Sequence, residues 1–282
     1  MLPTESLVTA TPHADGDELD AFYLPVGNEV SVFQAAWELG LPVMLKGPTG
    51  CGKTRLVEHM AQRLGVPLHT VSCHEDMTAT DLLGRYTLTG GDTVWVDGPL
   101  TRAVRTGGIC YLDEIVEARQ DAVVAIHSVT DHRRELSVER LGGLQLKAAE
   151  GFQLVVSYNP GYQSVLKDLK MSTRQRMVCI ELDFPPAEVE HAVLMAEAKA
   201  GEALADNLVQ LGQAIRRVRD GGLREAASTR MLITTGALVN RGLTLREAAL
   251  AAIAGPLTDD PTTSRALLAL VEEYTTDSEL PD

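Results

Sequence analysis

Residues Gly47-Pro48-Thr49-Gly50-Cys51-Gly52-Lys53-Thr54 fit the spacing GxxxxGKT, in which each fixed position has a physical task. The glycines let successive backbone N–H groups turn inward around a phosphate, the lysine reaches the terminal phosphate oxygens, and the threonine offers a hydroxyl to Mg²⁺. The ligand this implies is a nucleoside triphosphate, and Arg55, directly behind the loop, is grouped with the same site. Sixty residues after Lys53 an apolar run, Ile109-Cys110-Tyr111-Leu112, ends in Asp113 and Glu114. A carboxylate at the C-terminal end of a strand faces bound phosphates, so Asp113 can hold Mg²⁺ through water, while Glu114 can act as general base on an attacking water. Asn159 ends another apolar run before Pro160-Gly161, where an amide can touch both the terminal phosphate and that water; a plain turn preference is the competing explanation. Arg174 and Arg176 precede a further apolar run, and Arg230 follows Ser228-Thr229 at the start of a helical pattern. Guanidinium groups neutralise charge that develops on a transferring phosphoryl group, frequently from a neighbouring subunit.

Chemistry of this kind needs a scaffold that brings strand ends together. Leu41–Leu45 reads as a short buried strand and Thr54–Ala61 as a helix that starts directly after the glycine-rich turn, so the turn lies at a helix N-terminus. Leu68–Cys73, Gly108–Leu112, Phe152–Tyr158 and Met177–Leu182 read as four more short strands separated by helical segments, which predicts a parallel sheet covered on both faces. Val30, Phe33, Ala36 and Trp37 recur at helical spacing ahead of the first strand. Two insertions read as hairpins, Arg85–Val96 turning at Gly90-Gly91-Asp92 and Arg134–Lys147 turning at Gly142-Gly143. After Phe184-Pro185-Pro186 only helical patterns follow, with Val189, Val193 and Ala196 on one face and Leu208, Leu211, Ile215 and Val218 on another. The expected organisation is an acidic tail over 1–20, an α/β nucleotide-binding domain over 21–186 and a small all-α domain over 187–282.

The 282 residues carry a formal charge of −14 with 45% hydrophobic content, enough for two cores. Residues 1–45 hold seven acids and no Lys or Arg, and the stretch after Arg265 holds five acids and no base, which leaves −2 for the body. Acidic ends repel phosphate backbones and anionic lipid, so neither nucleic acid nor a membrane is expected as the main partner. The apolar stretch Ala248–Leu257 is too short to span a bilayer and is expected to break at Gly255-Pro256, so a soluble, cytoplasmic protein is expected. Cys73, Cys110 and Cys179 sit in apolar runs and read as buried free thiols. Cys73-His74-Glu75-Asp76 is a poor metal cluster because neighbours in an extended segment point to opposite faces.

Taken together, these motifs resemble the AAA+ ATPases, in particular the CbbQ/NorQ/NirQ group of the MoxR branch. The likeness runs from about Tyr23 to Tyr274 and is carried by Leu45–Thr54, Asp97-Gly98-Pro99-Leu100-Thr101, Cys110–Glu114 with Glu117–Asp121, Val156–Gln163 and Ser172–Arg176. It implies a P-loop sheet with hairpin insertions and a helical lid. It further implies a Walker A loop at Gly47–Thr54, Walker B acids at Asp113 and Glu114, a sensor at Asn159, an arginine finger at Arg176 with Arg174 as second candidate, and a second sensor at Arg230. The resemblance also implies ATP with Mg²⁺, a homo-hexameric ring and an adaptor bearing a von Willebrand A domain. The client it implies is inhibited rubisco, or alternatively nitric oxide reductase. The hairpins then become candidates for pore or partner contacts, with Tyr86 and Trp95 foremost. Met177 departs from the aromatic residue common after the finger arginine. A nucleic-acid translocase shares the loop and the acid pair but lacks a basic stripe here. A small-molecule kinase has no use for Glu114, Asn159 and Arg230 together.

Overall fold

The computed structural model describes residues 22–159, 169–218 and 225–275. The acidic tail over 1–20, the continuation of the Asn159 motif through Pro160-Gly161-Tyr162-Gln163 and the acids from Asp277 onward lie outside the described residues.

Helix α1 (Glu29–Glu38) buries Val30, Phe33 and Ala36 and leads into β1 (Val43–Lys46). After the glycine-rich loop come α2 (Lys53–Leu64), β2 (Leu68–Ser72), α3 (Ala79–Leu83) and the antiparallel hairpin β3 (Gly84–Thr89) and β4 (Asp92–Asp97). Next are α4 (Pro99–Thr106), β5 (Gly108–Asp113), α5 (Gln120–Ala125) and a second antiparallel hairpin of β6 (Glu135–Val138) and β7 (Leu144–Lys147). Strand β8 (Phe152–Tyr158), the short α6 (Met171–Arg174) and β9 (Val178–Glu181) complete the α/β part. The sheet is parallel with strand order β2-β5-β8-β1-β9. Strand β8 therefore lies between the strand that enters the phosphate loop and the strand that ends in Asp113.

Alternation along the buried strands divides the α/β core in two. Val43, Leu45, Ile109, Tyr111, Val155 and Ile180 face Phe33, Leu56 and Met60 of α1 and α2, while Met44, Cys110, Leu112, Leu154 and Val156 face Leu100 and Val104 of α4. Every residue of β8 is buried, as expected for a central parallel strand with helices on both sides.

The helical C-terminal region comprises α7 (Ala187–Glu197), α8 (Glu202–Val218), α9 (Thr229–Val239), α10 (Leu245–Ala249), α11 (Gly255–Leu257) and α12 (Pro261–Thr275). Its apolar side chains, among them Leu194, Leu208, Leu211, Ile215, Leu232, Ile253 and Val271, form a cluster of their own.

Three expectations need correction. In α7 the buried positions are Glu190 and Leu194, whereas Val189 and Val193 line a cavity and Ala196 is exposed; the pairing of Glu190 with Arg216 lets a carboxylate take the inward position. Cys179 is exposed, since β9 is the edge of the sheet, while Cys73 and Cys110 are buried and free. Burial pushes both thiols up to about 12. The chain also stays helical through Gly255-Pro256: a π-helical turn, Leu250–Ala254, leads directly into α11. A proline lacks an N–H, and a register change of this sort absorbs the lost bond. Among the described residues no helix is long and apolar enough to cross a membrane, and none of the Cys, His, Asp or Glu groups forms a metal cluster.

Candidate functional site

The loop after β1 is shaped by glycines that no other residue replaces without cost. Gly50 and Gly52 have φ of +72° and +100°, in the left-handed region. A Cβ on Gly47 would stand 2.3 Å from the Leu182 carbonyl oxygen, and one on Gly50 would stand 2.6 Å from Cβ of Ser228. The phosphate loop is thus wedged between the end of β9 and the N-terminus of α9, a contact that local sequence pattern does not reveal.

Lys53, only 7% exposed, donates its three ammonium hydrogens to the carbonyls of Gly47 (2.9 Å) and Pro48 (2.8 Å) and to Oδ1 of Asn159 (2.5 Å). Burial lowers its pKa from the ordinary lysine value. The other end of Asn159 donates to Oε1 of Glu114 at 2.8 Å and to the Thr49 hydroxyl at 3.4 Å. One amide at the end of β8 therefore joins the phosphate-loop lysine to the acid after β5, as the strand order permits.

Behind these groups runs a second chain of contacts. The Thr54 hydroxyl lies 3.3 Å from the Tyr111 hydroxyl, which donates to Asp113 Oδ1 at 2.7 Å. Ser157 donates to the same oxygen at 2.5 Å and accepts from the Glu114 amide at 2.7 Å. Burial raises the Tyr111 pKa, and the adjacent Asp113 adds to the effect; the phenol is a donor across the physiological range. Glu114 has φ +56° and ψ +47°, a left-handed conformation rare for a residue with a Cβ. The Ser157 bond to its amide helps hold it there. Sequence pattern does not single out Tyr111 or Ser157. Tyr111 reads as core and Ser157 as a strand residue, and only their places two residues before Asp113 and two before Asn159 mark them.

The phosphate loop and the residues that end β5 and β8 border one cavity of about 1010 Å³, open at the C-terminal ends of the strands, where parallel sheets bind ligands. Thr49, Gly50, Cys51, Gly52, Lys53, Thr54, Arg55, Asp113, Glu114, Asn159 and Arg230 all line it. Gly47 and Pro48 contribute the carbonyls that hold Lys53. Arg55 also pairs with Glu197 of α7 at 2.7 Å and with Glu58 at 3.3 Å, so it ties the loop helix to the helical region. Burial raises the Cys51 thiol pKa. The segment before α1 forms a further wall with Tyr23, Val26 and Gly27. Glu29 fixes that wall by accepting from the Tyr23 hydroxyl and from the amides of Val26 and Gly27. Burial acts to raise the Glu29 pKa, but these donors outweigh it and hold the group below the ordinary carboxyl value.

Arg174 and Arg176 are not brought to this cavity. Arg176 is exposed and donates to the His127 carbonyl at 3.2 Å, while Arg174 stacks over the Tyr158 ring at 5.5 Å. Tyr86 is half exposed on the first hairpin, whereas Trp95 packs edge-on against it and partly into the core, its indole N–H donating to Asp97.

A parallel sheet in this order, a glycine-rich loop between β1 and α2, an acid pair at the end of the next strand but one and a bridging amide on the strand between them define a P-loop ATPase of the AAA+ class. Residues 42–177 match the family model described as AAA domain (dynein-related subfamily), and residues 190–274 match CbbQ/NirQ/NorQ C-terminal. The denitrification regulatory protein NirQ of Stutzerimonas stutzeri is 56% identical over 89% of this chain and 90% of its own length. Protein NorQ of Paracoccus denitrificans is 54% identical over 87% and 91%, and protein CbbQ of Hydrogenophilus thermoluteolus 49% identical over 90% and 94%. The chain belongs to the CbbQ/NirQ/NorQ family of AAA+ ATPases, and it binds and hydrolyses ATP.

Proposed function

We propose that this ATPase is a ring-forming motor that remodels and thereby activates a client enzyme. The observation that carries the catalytic reading is the Asn159 amide, bonded to Lys53 on one side and Glu114 on the other. In that reading Lys53 and the loop amides grip the β and γ phosphates, and Glu114 takes a proton from the attacking water. Asn159 registers whether the terminal phosphate is present. Thr54 and Asp113 offer hard oxygen donors joined through Tyr111, a set that suits Mg²⁺ better than a softer ion. Bound there, the ion would neutralise phosphate charge. Arg230 contacts the nucleotide from the helical region, which works as the lid.

Arg176, with Arg174 as second candidate, acts on the nucleotide of a neighbouring subunit in a hexamer. Their positions away from the cavity of their own chain support this. Rings mixed from Arg176→Ala and Glu114→Gln subunits should recover part of the ATPase activity that each variant lacks alone; no recovery at any ratio would count against action in trans.

For the client, the sequence alone leans to rubisco. The higher identity to the denitrification regulatory protein NirQ and to NorQ than to CbbQ favours a denitrification enzyme, nitric oxide reductase, reached through an adaptor with a von Willebrand A domain. Rubisco is the second reading, supported by the match to CbbQ over 90% of this chain. Co-purification from native cells followed by identification of the bound proteins tests both. Recovery of rubisco would reverse the order, and recovery of neither client nor adaptor would remove the remodelling role.

A further inference from the structure

The helical C-terminal region contains a carboxylate with no access to solvent, that of Glu190. Arg216 of α8 grips it with two bonds, Nη1 to Oε2 at 2.8 Å and Nη2 to Oε1 at 2.6 Å, and the Thr229 hydroxyl donates to Oε1 at 2.6 Å. The Nε–H of Arg216 donates to the Ala227 carbonyl at 2.8 Å, and its planar group lies 4.3 Å from the Phe184 ring centre. Four pieces of chain meet on this one side chain: the linker before α7, α7 itself, α8 and the turn into α9.

An enclosed ion pair is a weak source of stability, because desolvation offsets most of the attraction. A forked guanidinium is strong in another respect: it fixes geometry in a plane. What it fixes here is the stretch Ala227-Ser228-Thr229. Ser228 is the N-cap of α9 and abuts Gly50 of the phosphate loop, and the next residue after Thr229 is Arg230, on the cavity wall.

We propose that Arg216 is a positioning residue for ATP hydrolysis: by holding the Ala227 carbonyl and, through Glu190, the Thr229 hydroxyl, it sets where Arg230 stands over the phosphate loop. The proposal rests on the reading of Arg230 as a nucleotide contact. The same guanidinium touches Phe184, so Arg216 also joins the start of α9 to the linker between the sheet and the helices.

Two variants test this. Arg216→Lys keeps the charge and loses the fork, and Thr229→Val keeps the branched shape and loses only the hydroxyl. Each is studied alone and combined with Arg230→Ala, reading the Kd of a non-hydrolysable ATP analogue by calorimetry, kcat and KM for ATP, and the melting temperature. Alone, Arg216→Lys should weaken binding about ten-fold and Thr229→Val about three-fold, and both factors should shrink towards one when Arg230 is absent. Equal factors in both backgrounds would overturn the proposal, as would single variants that bind the analogue like the parent. An Arg230→Ala protein that binds as tightly as the parent would overturn the assignment of Arg230 itself, and that result is visible without either partner variant. Should Arg216→Lys fail to fold, Thr229→Val leaves the bidentate pair in place and supports the same comparison.

Discussion

The contact between Gly50 and Ser228 lends itself to a quantitative test, because two glycines of this chain separate backbone strain from steric clash. Gly65, just past α2, has φ +64° and nothing within 4 Å of a Cβ built on it; Gly50 has φ +72°, and its Cβ would lie 2.6 Å from Ser228 Cβ and 2.8 Å from Ser228 Oγ. Alanine at either position incurs the left-handed penalty of about 1–2 kcal/mol, which for a chain of this size lowers Tm by roughly 2–8 °C. Only alanine at Gly50 must also move a neighbour. An ordinary carbon–carbon contact is about 3.5–4.0 Å, so the start of α9, and Arg230 with it, must withdraw by about 1 Å. A displacement of that size in a catalytic constellation can cost about 100-fold in rate. Gly65→Ala should therefore melt earlier but keep its ATPase kcat/KM, whereas Gly50→Ala, which adds the clash to the backbone penalty, should show a larger melting shift and a roughly 10- to 100-fold fall in kcat/KM. Steady-state phosphate release and thermal melts on the two variants suffice. If Gly50→Ala hydrolyses ATP as well as Gly65→Ala does, the seat of α9 on the phosphate loop has no part in turnover.

Glu114→Gln should retain ATP binding while turnover falls by about 10²-fold or more; rapid hydrolysis would exclude Glu114 as the base. Tyr111→Phe removes one oxygen from the chain joining Thr54 to Asp113. A lost hydrogen bond to a charged acceptor costs about 1.5–3 kcal/mol, so it should appear in the melting temperature and as a higher Mg²⁺ concentration needed for half-maximal activity. An unchanged Mg²⁺ titration would show that the phenol only fills space. Glu29 is held below its ordinary pKa of 4.5. Its native interactions favour the ionised form, so its contribution is fully present above that ordinary value and is lost as the pH falls through the lower native value. Glu29→Gln should accordingly flatten the acid side of a Tm profile taken between about pH 3 and 7, with the two proteins converging at the acid end; parallel profiles would refute this.

Much of the site is legible in the sequence because its residues are tied to local backbone events. A glycine-rich turn between strand and helix, an acid pair ending an apolar run and Asn159 before Pro-Gly each announce themselves within a few residues. The strands are equally plain, since parallel strands buried on both faces are short unbroken apolar runs. What stays hidden depends on partners distant in sequence. Nothing near Glu190 announces that Arg216, twenty-six residues away, pairs with it, and that pairing displaces Val189 and Val193 from the core face expected for them. Cys179 reads as buried because its run is apolar, but nothing local says that β9 ends the sheet. Tyr111 gives no sign that its hydroxyl meets Thr54, because that meeting depends on strand order. The helices α3, α4 and α5 escape sequence pattern because each is shorter than three turns and gives periodicity little length in which to show.

Glu114 sits in a backbone conformation that glycine would adopt freely, and the fold tolerates that tension at the one residue read as supplying the base. Replacements that relax the turn would make a sturdier but silent protein. Robustness and turnover thus pull in opposite directions at this position, and the acid stands here against the preference of its own backbone.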